Sequence, residues 1–211
     1  MKKILALFCI LSLVLCCSAC SSINSDPPTV EEIKKSFSEH EADFQAIADY
    51  LIMTCADLPD FESATIKDGK ITQYRLAPNG VQLSKTETSV ADSPIADSCK
   101  RLKQAGCKDI GMCISGKETQ NVVCFTMWSR DVKQAECGIA YSVNGTDPPV
   151  IQFQTELSPI AKDRWYYFLA DYEEWRNTNQ HLIPNNNSNA PGFVTGSVFI
   201  LMVFIEEQCQ H

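Results

Sequence analysis

Histidine is scarce in this chain: only His40, His181 and His211 occur, far apart in sequence. A Ser–His or Cys–His catalytic pair would have to draw on those three. Beyond Cys20 no CxxC spacing exists, which removes the zinc knuckle and the thioredoxin-type redox motif there. Neither a nucleophile elbow nor an S-x-x-K motif is present. Basic residues are outnumbered, 18 against 26 acidic, for a net charge of −8. That balance argues against nucleic acid as a partner, because phosphate binding needs a basic face. No internal repeat is found.

Two partial motifs fail on inspection. Gly111 to Lys117, GMCISGK, follows a phosphate-binding loop as far as its lysine. Glu118 then stands where Ser or Thr should hold magnesium. Strand-like residues from Val122 onward follow it where a helix is required, so Gly116-Lys117 reads as a hairpin turn. HEADF, from His40, begins like a zinc-protease helix, but Phe44 occupies the second histidine position. One imidazole cannot make that site. No metal and no cofactor is expected.

What is present begins at the N-terminus, MKKILALFCILSLVLCCSAC. Lys2 and Lys3 form a positive start, and Ile4 to Leu15 an apolar run of 12 residues. A membrane span needs roughly 20. Small residues Ser18 and Ala19 then precede Cys20. This is the layout of a secretory signal, and it resembles the lipoprotein signal family, although Cys17 sits where Leu is usual. The resemblance implies cleavage before Cys20, lipid on that cysteine, and a place on the extracytoplasmic face of the cell membrane. Two acyl chains would make the attachment stable. The expected organisation is a signal peptide at 1–19, a polar tether at 20–29, and a single domain at 30–211 with an Asn-rich loop at 184–192.

Without the signal the chain has 16 basic and 26 acidic residues. Seven cysteines remain beyond Cys20: 55, 99, 107, 113, 124, 137 and 209. An odd number cannot all pair within one chain. They suit either a disulfide set in an oxidising exterior or small buried apolar side chains.

The pattern predicts a first helix from Val30 to about Cys55. Thr29 and Glu32 form a capping box, and Ile33, Phe37, Phe44, Ile47 and Leu51 line one face. Asp68-Gly69 marks a hairpin turn between two short strands. Residues 84–92 are polar and read as loop. Ser93-Pro94 opens a second helix, which Gly106 stops. Strands are expected at Lys108–Ser115, Asn121–Ser129, Cys137–Val143, Val150–Leu157 and Arg164–Leu169. Asp171 and Glu174 cap a short helix carrying Trp175. Phe193 to Ile205 reads as a buried strand, with a short buried helix as the alternative. Together these predict an α+β fold: a single antiparallel sheet with a long N-terminal helix and a second helix packed on one face. Cys113, Cys124 and Cys137 then fall on successive strands. Cys113 facing Cys124 is the favoured register, and Cys124 facing Cys137 competes with it.

The densest local feature is RWYYFLADYEEW, with six aromatics from Trp165 to Trp175. Trp165, Tyr166, Phe168, Tyr172 and Trp175 are candidates for a binding surface that stacks sugars or anchors a protein. The same rings could instead be core. CGIAYSVNG from Cys137, QFQTELSPI from Gln152 and this aromatic stretch resemble a group of small lipoproteins from clostridial-type Gram-positive anaerobes. The resemblance covers about residues 30–176. It implies the cell envelope and a compact domain, and carries no site residues. The functional expectation is a binding or interaction module whose partner is an envelope protein or glycan. An envelope hydrolase and a purely structural lipoprotein are the alternatives.

Overall fold

The computed structural model describes residues 26–55, 58, 61–76, 83–114, 121–130, 135–143, 145, 148–161 and 164–179. The expected signal at 1–19, Cys20, Gly116-Lys117 and everything beyond 179 lie outside the described residues. So do Cys209, the Asn-rich loop and the apolar segment at 193–205.

The chain enters through α1, Val30–Cys55. Its capping box is formed: the Thr29 N–H donates to Glu32 Oε2 at 2.8 Å, and the Glu32 N–H donates to Thr29 Oγ1 at 3.3 Å. The helix breaks its geometry once, at His40, where φ is −131° and ψ 17°. The predicted apolar face is the buried face, with Ile33, Phe37, Phe44, Ile47 and Leu51 all in the core. Each such side chain contributes about 1.5–3 kcal/mol by leaving water.

Among the described residues eight strands follow: β1 Phe61–Lys67, β2 Lys70–Leu76, β3 Leu83–Ser89, β4 Asp109–Ile114, β5 Asn121–Arg130, β6 Ala135–Ser142, β7 Gln154–Pro159 and β8 Trp165–Asp171. A second helix, α2, Ala96–Gln104, lies between β3 and β4, and a short third, α3, Tyr172–Thr178, follows β8. All strands join one antiparallel sheet in the order β3-β2-β1-β4-β5-β6-β8-β7. The fold is α+β, with a single sheet and the long N-terminal helix, as the pattern predicted.

Local signals operate as read at two turns. Asp68 and Gly69 both take positive φ, 49° and 76°, as a type I′ turn requires. Gly106, at φ 95°, ends α2. Its N–H reaches the Lys103 carbonyl and the Cys107 N–H reaches that of Leu102, at 3.2 and 2.9 Å. This is the two-bond Schellman ending.

Three expectations change. Residues 83–89 are strand β3, not loop; their alternating Lys, Thr and Glu are the polar composition of an edge strand. Ser93 does not cap α2: its hydroxyl donates back to the Val90 carbonyl at 2.6 Å, closing a 3-10 turn, and α2 begins at Ala96 without a side-chain cap. The strand expected at Val150 starts only at Gln154, because Phe153 turns the chain with φ 57°. The spatial order, on which the sequence pattern made no statement, sets β8 between β6 and β7.

The sheet has two unlike faces. Ala64, Ile66, Ile71, Ile110, Met112, Val123, Phe125, Cys137, Ile139, Tyr141, Trp165 and Tyr167 form the main core with α1 and α2. On the other face, the β5–β8 half holds a small cluster of Val122, Ala140, Phe168 and Ala170, against which Ile151 and Leu157 pack. The β1–β4 half of that face carries ion pairs instead, Lys67–Asp109 at 3.6 Å and Lys70–Glu87 at 3.1 Å.

Candidate functional site

The five candidate aromatics do not share a surface. Strand alternation sends Trp165 toward the helices and Phe168 to the opposite face. Trp165 is 4% exposed and Phe168 fully enclosed. Trp165 is the hub of the core's rings, with centroids 4.9 Å from Phe37, 4.7 Å from Tyr141 and 6.0 Å from Phe125. Both residues are core. Tyr166 is half-buried at the rim of the small cluster.

Tyr172 and Trp175 lie on α3 and are half-buried. Both pack edge-on against Phe153, at 4.8 and 5.2 Å. Phe153 was not a sequence candidate. Its positive φ is costly for a bulky residue. The strain is held by the two ring contacts and by the Asp171 N–H, which donates to the Phe153 carbonyl at 3.0 Å. Asp171 also caps α3, accepting from the Glu174 N–H at 3.0 Å, and meets Arg130 at 3.4 Å. The Arg176 guanidinium stands 5.9 Å from the Tyr172 ring centroid. The chain thus fixes three rings and one cation at the β7–β8 end of the sheet. This group can stack on an apolar or sugar face, with Arg176 beside it.

A second polar group joins the helices. Asp43 is buried and takes three hydrogen bonds from Arg101, while Ser98 also bonds that guanidinium. His40, at the break in α1, places Nδ1 3.6 Å from Asp43 Oδ2. A carboxylate beside an imidazole is half of a hydrolytic triad. Here Arg101 already occupies both carboxylate oxygens, so Asp43 serves the helix contact. The Arg101 hydrogen bonds hold its carboxyl below the ordinary range, with smaller help from Ser98 and His40.

The cysteines divide by face. Cys137 lies on the helix side, opposite Trp128. Cys113 pairs with Val122, and Cys124 with Gly111 on one side and Ala140 on the other. Neither expected register holds: Cys113 and Cys124 are diagonal neighbours, and Cys124 does not face Cys137. The β4–β5 ladder runs from Asp109↔Thr126 to Ile114↔Asn121, two residues away from the register that would set Cys113 opposite Cys124. The six described cysteines carry no disulfide. Burial pushes the thiols up, Cys99 and Cys113 to about 11, Cys107 and Cys137 to about 12. A nucleophilic thiol needs the opposite shift.

Among the described residues no three His, Cys, Asp or Glu side chains gather as a metal site, and no helix is long and apolar enough to cross a membrane. No family model, curated protein or solved structure matches the chain.

Proposed function

We propose that this chain is a lipoprotein, held through lipid on Cys20 at the extracytoplasmic face of a cell membrane, and that its domain binds an envelope partner. The observation that carries the anchor is the segment MKKILALFCILSLVLCCSAC, with its positive start, short apolar run and Ser18-Ala19-Cys20 box. The first helix begins at Val30, so the tether from Cys20 spans at most about 35 Å when fully extended. A domain on so short a tether works at the membrane surface. The binding role is supported by Tyr172 and Trp175, whose rings both pack on Phe153 at one end of the sheet. The likeness of about residues 30–176 to small clostridial-type lipoproteins agrees with this setting.

Metabolic labelling with an alkyne analogue of palmitate tests the anchor. Label is expected on the wild type and absent from Cys20→Ala; label persisting in that variant would sink it. Pelleting with purified cell-wall glycan tests one class of partner. Wild type should sediment and Trp175→Ala should remain largely in solution. Equal sedimentation of both would remove the aromatic group from the binding surface.

A further inference from the structure

The sheet ends in two edges, and they differ. Strand β7 breaks register against β8 between Gln154 and Glu156 and finishes on Pro159. A bulge and a proline blunt an edge against further pairing. Strand β3 has neither. It pairs with β2 in an unbroken run, from Leu76↔Leu83 to Lys70↔Ser89. Residues 84–89 are all exposed. The Val90 N–H donates to the Gly69 carbonyl at 2.9 Å. Alternate residues of a strand point their backbone groups the same way. Counting back from Val90, Thr88, Thr86 and Ser84 bond β2, while Leu83, Lys85, Glu87 and Ser89 turn their N–H and C=O groups outward.

The side chains of this edge complement themselves. Lys85 and Glu87 lie on the face opposite the helices and meet each other at 2.9 Å. Lysine on an edge ordinarily keeps a second strand away. Here opposite charges sit two residues apart. An antiparallel copy centred on Thr86 places Lys85 opposite Glu87 of the second copy, and Glu87 opposite its Lys85. The same register matches the outward backbone groups, Lys85 with Glu87 and Leu83 with Ser89. Thr86 then faces Thr86 in a non-hydrogen-bonded pair, where side chains approach most closely.

We propose that β3 is a self-association edge, on which two copies of this chain join antiparallel about Thr86 into one continuous sheet. The contact is isologous and works by strand addition. One short edge buries less than a standard interface, so the dimer is weak and reversible.

The test uses the full chain in detergent micelles. In Thr86→Cys the two new thiols stand on Cα atoms about 4.5 Å apart, within disulfide reach. Mild oxidation should give a covalent dimer well above the wild-type background and above that of Lys103→Cys, an exposed helix position away from the edge. Adding Lys85→Glu should lower the dimer yield about tenfold, because one reversal turns two symmetric attractions into repulsions. Glu87→Lys should do the same, and the combined swap K85E/E87K should restore the yield. Circular dichroism melts establish that each variant is folded. A Thr86→Cys yield no higher than that of Lys103→Cys, or a yield indifferent to Lys85→Glu, would overturn the proposal.

Discussion

Asp43 of α1 and Arg101 of α2, 58 residues apart, are joined by three hydrogen bonds at 2.6, 3.0 and 3.0 Å. The carboxylate is buried, whereas the Arg101 side chain keeps about half of its surface in water, 52%. Removing the acid leaves Arg101 able to hydrate, which limits the loss. Asp43→Ala should therefore cost about 1–2 kcal/mol in urea unfolding.

The same pair fixes a pH dependence. The folded-state pKa of Asp43 is lowered, chiefly by the Arg101 hydrogen bonds. A lowered acid contributes its stability above the unfolded value of about 3.9. That contribution is lost as pH falls through the lower, folded value. The melting-temperature gap between wild type and Asp43→Asn should be open at about pH 5 and narrow below about 4. A gap that widened in acid would contradict the pairing.

Trp165 touches Phe37, Phe44, Phe125 and Tyr141, so its ring joins α1 to three strands. Trp165→Ala should cost about 3–5 kcal/mol. Trp175, half-buried with its ring on Phe153, should cost about 1–2 kcal/mol. Denaturant midpoints of the two variants check the order. Equal losses would mean that the α3 cluster is as deeply packed as the core.

How much of this was legible in the sequence follows from the range of each signal. The span of α1 was readable because the Thr29 cap and the spacing of Ile33, Phe37, Phe44, Ile47 and Leu51 are local. The Asp68-Gly69 and Gly106 turns were readable because positive φ restricts which residues can occupy them. Strand β3 was missed because an edge strand exposed along Ser84–Ser89 has no apolar alternation to show. The place of β8 between β6 and β7 was not legible because a crossover leaves no mark at any one residue. The candidate site fared similarly. Alternation correctly set Trp165 and Tyr166 on opposite faces. It could not tell that both Trp165 and Phe168 are covered, since that depends on distant α1 and Ile151. Phe153 gave no signal: a phenylalanine at positive φ is held there by Tyr172, Trp175 and Asp171, none of them adjacent to it.

Glycine positions divide sharply by what surrounds them. Gly138 of β6 lies beside the β5 irregularity between Thr126 and Trp128. A Cβ there would collide with the Phe125 carbonyl oxygen and stand 3.0 Å from the Met127 backbone nitrogen. These are backbone atoms in the sheet centre and cannot move aside. Gly111, on the neighbouring β4, has nothing within 4 Å of an added Cβ. Gly138→Ala should destabilise by more than about 3 kcal/mol or prevent folding. Gly111→Ala should lie within about 0.5 kcal/mol of wild type. Thermal melts of the pair decide this, and a tolerated Gly138→Ala would refute the β5–β6 register.

Cys113 and Cys124 should resist joining even under oxidation. Their diagonal relation separates Cα atoms by about 7–8 Å, beyond the roughly 4.4–6.8 Å that a disulfide spans. Burial pushes the Cys113 thiol up to about 11, with the nearby Glu62 carboxylate adding to it, and pushes Cys124 further in the same direction. The thiolate is the species that attacks, and at pH 8 almost none of it is present at either residue. Iodoacetamide at pH 8 should therefore label both slowly in the native protein and rapidly in about 8 M urea, where the chain is unfolded. Peptide mass mapping after mild oxidation of the native protein should find both as thiols, or as separate oxidised species, and no 113–124 crosslink. Rapid formation of that crosslink would mean that β4 and β5 slide to bring the two cysteines face to face. The Gly111↔Cys124 pairing would then have to be given up.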